Sequence, residues 1–227
     1  MLETIVFMCE SSVMKTIETS VGPRERLLEA AGEVFAERGY DAATVREITG
    51  RAGANVAAVN YHFRDKEELY AAVLRHAQRC AMESSWVDGG EGTPEKRLGG
   101  FVGAMLRHLL DPERPAWHGR LMAREMAAPT RMLSQLIDEG FRPKVTILEG
   151  IVRDIVGSSL SGKRVHLLAA SVLAQCVFYR QSRPVIAELF PGLLEGEDAI
   201  APLAEHITTF SLAGIRAAAR AKQKTKS

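Results

Sequence analysis

Hydrogen-bonding and basic side chains are concentrated between residues 44 and 66 of the chain. Asn60, Tyr61 and His62 are consecutive, and each side chain can donate a hydrogen bond. The segment holds four basic and two acidic residues, with Arg46 and Arg51 before the polar run and Arg64 and Lys66 after it. Amide, phenol and imidazole groups beside positive charge suit contacts with base edges and phosphates. The pattern predicts a local surface for nucleic acid.

The charge balance of the whole chain requires that such a surface be local. The 227 residues include 29 basic and 28 acidic side chains, for a formal net charge of +1. A general positive field that would attract nucleic acid or anionic lipid is therefore excluded. The predicted interface depends on where the few basic residues are placed.

Sequence signatures of other chemistry are absent. There is no GxSxG, GxxxxGK[ST] or HExxH motif, and no GxGxxG after a strand. His118 and Glu125 are seven residues apart, but two such groups do not make a metal site. The cysteines, at positions 9, 80 and 176, are too scattered for a disulfide framework or a zinc ribbon, and they fit a reducing cytoplasm. We predict no catalytic residue, no metal and no cofactor.

Apolar residues recur almost everywhere with the 3.6-residue period, so the sequence predicts an all-α fold. The first helix begins near Pro23 and is ended by Gly39. Its inward stripe consists of Leu27, Leu28, Ala31, Val34 and Phe35.

Two short helices follow, with the dimensions of a helix-turn-helix. Thr44 is expected to cap the first through a capping box with Glu47. Gly53 ends that helix, and Asn55 caps the next one, which covers about residues 56–63. Val59 and Phe63 face inward, which leaves Val56, Ala57, Ala58, Asn60, Tyr61 and His62 pointing outward to varying degrees.

The remaining chain reads as further helices. The predicted ranges are 65–84, 94–110, 116–127, 130–155 with a bend at Pro143, 161–180, 184–189 and 197–221. We divide the chain into a disordered extension (1–21), a helix-turn-helix domain (22–66), a larger helical domain (67–221) and a basic disordered tail (222–227). Translation from Met1 and from Met14 both remain open.

The motifs of the first half resemble the DNA-binding domain of TetR-family transcriptional regulators. The similarity is carried by Thr44-Val-Arg-Glu-Ile48, by Tyr61-His62-Phe63 and by Lys66-Glu-Glu-Leu69. It is close over about residues 24–74. The second half resembles, more loosely, a branch with a small C-terminal ligand domain that is often linked to drug efflux or antibiotic sensitivity.

The resemblance implies a role for each matching residue. Thr44 and Lys66 would bind phosphates, and Arg46 would reach a phosphate or a base edge. Asn55 would cap the reading helix. The base-facing positions would be Val56, Ala57, Ala58 and Asn60, and Tyr61 and His62 would contact backbone or bases. The family commonly has Gly-Thr where this chain has Ala57-Ala58, and Tyr at the position of Asn60. We therefore expect a different operator, in which Asn60 can pair with adenine.

The second domain is expected to dimerise and to bind a small molecule. The ligand-binding candidates are Met105, Trp117, Leu121, Arg124, Glu125, Phe178 and Tyr179. A well-packed helical core explains the same residues equally well. By the resemblance, the protein is a cytoplasmic homodimeric repressor that a ligand releases from a near-palindromic operator in double-stranded DNA. The alternatives are a ligand-independent or activating DNA-binding regulator and an α-helical enzyme in which the helix-turn-helix domain is vestigial.

Overall fold

A computed structural model of the chain describes residues 22–79, 92–196 and 199–224. All regular elements in these ranges are helical, which confirms the predicted fold class. The predicted N-terminal extension, both possible start sites, Cys9 and Cys80 lie outside the described residues. No helix in the described ranges is both long and apolar enough to cross a membrane.

The described ranges contain eleven α-helices. They are α1 (Pro23–Ala42), α2 (Val45–Arg51), α3 (Val56–Phe63), α4 (Lys66–Arg79), α5 (Pro94–Leu110), α6 (Ala116–Ala127), α7 (Met132–Leu136), α8 (Arg142–Val156), α9 (Gly162–Gln181), α10 (Arg183–Leu189) and α11 (Ile200–Lys224). The backbone of α11 continues to Lys224, so the predicted disordered tail, 222–227, is wrong at its first three residues. Residues 225–227 are outside the described part.

The chain divides into two compact units. The first contains residues 22–79 and returns at Pro115–Ser134, and the second contains residues 92–114 and continues from Gln135. We predicted a boundary at residue 66 instead. The difference arises because α1 packs against both α4 and α6, which places two further helices in the first unit.

The predicted stripe of α1 forms the core of the first unit. All five of its side chains are buried, together with Ile48, Val59, Leu69 and Val73 from the next three helices. Near the end of α1, Gly39 has φ 82° and ψ 172°, so the helical conformation is broken at this residue, as predicted. The backbone N–H of Ala43 donates to Gly39 O at 3.3 Å, which closes the end.

The second unit has its own core, formed by four long helices. The apolar faces of α5, α8, α9 and α11 pack together. The fully buried members include Leu98, Val102, Leu106, Leu148, Ile151, Val152, Val172, Cys176 and Ile207. Both units are thus stabilised mainly by apolar surface removed from water.

One predicted element is interrupted. We expected a single helix over 130–155 with a bend at Pro143. The structure has α7, then a five-residue π-helical segment at Ile137–Phe141, then α8. Pro143 lies in the first turn of α8, where its missing N–H costs nothing. The irregular backbone therefore precedes the proline.

Candidate nucleic-acid interface

The ends of α2 and α3 are fixed by the two predicted caps. Thr44 Oγ1 accepts a hydrogen bond from the Glu47 N–H at 3.1 Å, and Asn55 Oδ1 accepts one from the Ala57 N–H at 3.0 Å. These bonds satisfy backbone donors that the first turn of a helix leaves unpaired. The Glu47 carboxylate lies 3.4 Å from the Nε of Arg38 on α1. Of the two bonds of the predicted capping box, the structure therefore has the one to the Thr44 hydroxyl, while the Glu47 side chain pairs with Arg38.

The turn between α2 and α3 is tight. Gly53 adopts φ 61°, a conformation that glycine accepts without strain. The backbone N–H of Ala54 donates to Thr49 O at 2.9 Å across this turn. The two short helices are therefore held in a defined mutual orientation.

Helix α3 has an inward and an outward face, as predicted. Val59 is fully buried and Phe63 nearly so, and the guanidinium carbon of Arg24 lies 5.2 Å from the centroid of the Phe63 ring. The opposite side is open to solvent, and 84% of Tyr61 is exposed. Val56, Ala57 and Asn60 are exposed, whereas Ala58 and His62 are half-buried.

The end of α3 turns sharply. Arg64 has φ 67°, the positive value of a residue that leaves the helix in the left-handed region. Its backbone N–H donates to Asn60 O at 3.2 Å. The Asp65 carboxylate then accepts the Glu68 N–H at 2.8 Å and caps α4, which begins at Lys66.

Lys66 makes two contacts within the first unit. Its Nζ donates to Asp41 O at 3.3 Å and lies 4.6 Å from the centroid of the Tyr40 ring. An ammonium group has three donors, so this contact positions the group and leaves capacity for a phosphate. Lys66 therefore places a fixed positive charge at the start of α4.

Arg51 differs from the other basic residues of the segment. Its guanidinium bonds the Glu37 carboxylate with two nitrogens, each at 3.0 Å, and also reaches Glu33 at 3.3 Å. The Arg51 hydrogen bond lowers the pKa of Glu37, and the Glu37 hydrogen bond raises the pKa of Arg51. The charge of Arg51 is thereby neutralised by two carboxylates of α1. Arg46 and Arg64 remain exposed, and Lys66 is half-buried.

Residues 27–73 match the bacterial regulatory proteins of the tetR family, and residues 94–215 match the C-terminal domain of the HTH-type transcriptional dual regulator CecR. The second match alone covers more than half of the chain. The chain belongs to the TetR family.

Relatives of this TetR-family protein include further regulators. The HTH-type transcriptional repressor AcnR of Corynebacterium efficiens is 38% identical over 103 residues, which are 45% of this chain and 48% of AcnR. The match thus spans about half the length of that relative. The repressor Rv3405c of Mycobacterium tuberculosis is 29% identical over 170 residues, which are 70% of this chain and 73% of Rv3405c.

A solved structure shares the fold of the TetR-family chain. It is AibR in complex with isovaleryl coenzyme A and operator DNA, with a TM-score of 0.62 and 16% identity. The similarity covers 83% of this chain and 97% of AibR.

The ligand-binding candidates of the TetR-family chain do not share one unit. Trp117, Leu121, Arg124 and Glu125 lie on α6 in the first unit, whereas the other three lie in the second. The α6 side chains have partners within their unit. Trp117 Nε1 donates to Glu29 at 2.9 Å, and the two terminal nitrogens of Arg124 donate to Glu37 O at 3.4 Å and to Arg38 O at 3.2 Å.

Glu125 is held more tightly still. It is almost fully buried and accepts hydrogen bonds from the Tyr70 hydroxyl at 2.6 Å, the Thr130 N–H at 2.9 Å and the Thr130 hydroxyl at 2.8 Å. The sequence suggested a polar ligand contact at this position. In the structure the carboxylate joins α4 to the residues that follow α6.

An open groove of about 700 Å³ lies in the second unit. Its wall includes Tyr179, Leu193, Pro202, Leu203 and His206. Of the predicted ligand residues in this unit, Tyr179 lies in the groove wall, whereas Met105 packs against the core and Phe178 is exposed on α9. Sequence reasoning missed the residues near position 193, since they belong to an irregular connection without a periodic pattern.

Proposed function

We propose that this protein is a homodimeric repressor that inserts α3 into the major groove of a near-palindromic operator. The observation that carries the proposal is the outward face of α3. The Asn55 cap at its start, the Arg64 turn at its end and its buried opposite face hold this helix in place. The major groove admits one α-helix and displays a distinct donor and acceptor pattern for each base pair.

The polar side chains around α3 divide into two roles. Thr44 and Lys66 would bind phosphates and fix the register on the duplex, and Arg46 would reach a phosphate or a base edge. Asn60 would read a base edge, with Val56, Ala57 and Ala58 as apolar neighbours that permit close approach. Tyr61 and His62 would contact backbone or bases, and Asn55 would act mainly as the cap.

The dimer would form through α9 and α11. Leu167 and Phe178 on α9 are 59% and 53% exposed, and Phe210 on α11 is 65% exposed. Ala170, Ala174 and Ala213 on the same helices are also exposed, and such small residues allow close packing. Large apolar side chains on two adjacent helices are typical of an interface. A symmetric pair of heads about 34–36 Å apart would reach successive major grooves.

The effector would bind in the second unit, with the groove beside Tyr179 as the first place to look. A ligand can release the operator only by binding one conformation better than the other. AibR was solved with an acyl-coenzyme A, so short acyl-coenzyme A thioesters are reasonable first probes. The proposal gives the protein a regulatory role in the cytoplasm and no catalytic role.

Selection of random duplexes, followed by gel-shift titration, tests DNA binding. We expect an enriched near-palindrome, bound by the full-length protein and lost in the Tyr61→Ala, Lys66→Ala double variant. The Lys96→Ala variant, which removes an exposed cation from α5, is the matched control and should bind as the wild type does. Failure to enrich any duplex at any salt concentration would overturn the proposal.

The alternative regulators give different titrations. If no compound weakens the complex and transcription rises with the protein bound, a ligand-independent or activating regulator is supported. If cells that carry the Tyr61→Ala, Lys66→Ala double variant keep the wild-type phenotype, the helix-turn-helix domain is vestigial and the enzyme alternative gains support.

A further inference from the structure

Three side chains capable of binding a metal converge inside the first unit. Glu29 comes from α1, His76 from α4 and His118 from α6. One ligand atom of each lies within 4.8 Å of the other two. His76 Nε2 and Glu29 Oε1 are 3.2 Å apart, and the two imidazole rings meet edge to face with centroids 5.8 Å apart.

The surroundings hold these groups in place. Trp117 Nε1 donates to Glu29 Oε2 at 2.9 Å, which leaves Glu29 Oε1 directed toward His76. The Trp117 ring packs edge to face on His118, with centroids 4.1 Å apart. The indole also lies against Gly32, where an added Cβ would be only 2.5 Å from the ring. In metal sites, a hydrogen bond to the carboxylate oxygen that does not bind the metal holds the ligand in its orientation. The bond from Trp117 to Glu29 Oε2 is of this kind.

The donor set matches a particular class of ion. Two imidazole nitrogens and one carboxylate oxygen suit borderline divalent ions such as Zn²⁺. Around a four-coordinate Zn²⁺ with bonds of about 2.0–2.1 Å, neighbouring ligand atoms are about 3.3 Å apart. The Glu29–His76 separation of 3.2 Å is close to this value. One ligand atom of His118 lies within 4.8 Å of the other two, so the three side chains would draw closer together around an ion.

An ion can reach the cluster from solvent. His118 is buried, with 1% exposure, but the side chains of His76 and Glu29 are 24% and 44% exposed. Three protein ligands leave one position for water or an exchangeable group.

We propose that Glu29, His76 and His118 form a binding site for a divalent ion of the zinc class, which links α1, α4 and α6. This site is separate from the proposed DNA-binding face and from the groove near Tyr179. Sequence motifs could not reveal it, because its three residues are 47 and 42 positions apart and each lies on a different helix.

Metal titration of the full-length chain, made without a histidine tag and stripped with chelator, tests the proposal. We expect one equivalent of Zn²⁺ by calorimetry, a rise in Tm on binding and an absorption spectrum typical of low coordination number when Co²⁺ replaces Zn²⁺. In the His76→Gln and Glu29→Gln variants we expect at least a tenfold loss of affinity. Glu29→Gln keeps an acceptor for Trp117 and leaves the neighbouring packing intact.

The control variant is His166→Gln, which alters an exposed histidine that contacts Glu149 in the second unit. It should bind Zn²⁺ as tightly as the wild type. Absence of stoichiometric binding by the wild type would overturn the proposal, and the three residues would then form only a hydrogen-bonded cluster. Retention of full affinity in either folded ligand variant would overturn it as well. None of these outcomes depends on DNA binding.

Discussion

The Tyr70 hydroxyl donates a hydrogen bond of 2.6 Å to Glu125, and both side chains are almost fully buried. Tyr70 lies on α4, which follows the reading helix, and Glu125 lies on α6. The bond ties α4 to a helix that is distant in sequence. Burial, followed by this hydrogen bond, raises the pKa of Tyr70.

We expect Tyr70→Phe to lower the free energy of unfolding by about 1–3 kcal/mol, because the buried carboxylate of Glu125 loses a donor. Chemical denaturation at pH 7 measures this loss. Tyr61→Phe removes a hydroxyl from an exposed ring and should leave stability unchanged. Equal stability of the wild type and Tyr70→Phe would show that the Thr130 donors alone satisfy Glu125.

Gly39→Ala should destabilise the first unit. The backbone at Gly39 has φ 82°, and an added Cβ would be 2.7 Å from Arg124 Nε. We expect a loss of about 1–3 kcal/mol from strain and displacement of Arg124. Gly150→Ala is the matched control, because nothing lies within 4 Å of its Cβ and it is inside α8. That change should raise Tm through lower chain entropy in the unfolded state.

Lys144→Met should stabilise the protein in a pH-dependent manner. Burial, and to a lesser extent Arg114, lowers the pKa of Lys144 to about 8 from its ordinary value of 10.5. Folding therefore disfavours the charged form, and this penalty is complete below pH 8 and disappears as the pH rises to 10.5. We expect a gain on the order of 2 kcal/mol at pH 7. Denaturation curves at pH 7 and pH 10.5 should show the advantage at the lower pH only.

Asn60→Ala should relax the base preference at one operator position in each half-site. Loss of a bidentate contact would cost about 1–3 kcal/mol for the preferred base and little for the others. Binding to a panel of operators with single base changes measures this effect. A uniform loss across the panel would instead assign Asn60 to the phosphate backbone.

Phe210→Lys should convert the proposed dimer into monomers at micromolar concentration, because a charge would replace an exposed aromatic residue of α11. Light scattering after size exclusion reports the mass. Met126→Lys, at an exposed apolar residue of the first unit, is the control and should not change the mass. A Phe210→Lys protein that stays dimeric would place the interface elsewhere.

Features that depend on near neighbours in sequence were predicted well. The caps Thr44 and Asn55, the stripe of α1, and the bounds of α5 and α6 follow from helix period and end signals. The assignment of α6 to the first unit could not be predicted, because its apolar face is compatible with either core. The meeting of Glu29, His76 and His118 depends on the packing of three separate helices, which periodicity does not encode.

Because α6 belongs to the first unit, this unit is built from two segments that are separated in the sequence. A fragment that stops at Arg79 would lack Trp117, whose indole ring packs against Gly32, and would leave this part of α1 uncovered. No single cut of the polypeptide can release the complete unit. A design that fuses the first unit to another sensor domain would therefore have to include residues 115–134 as a second segment.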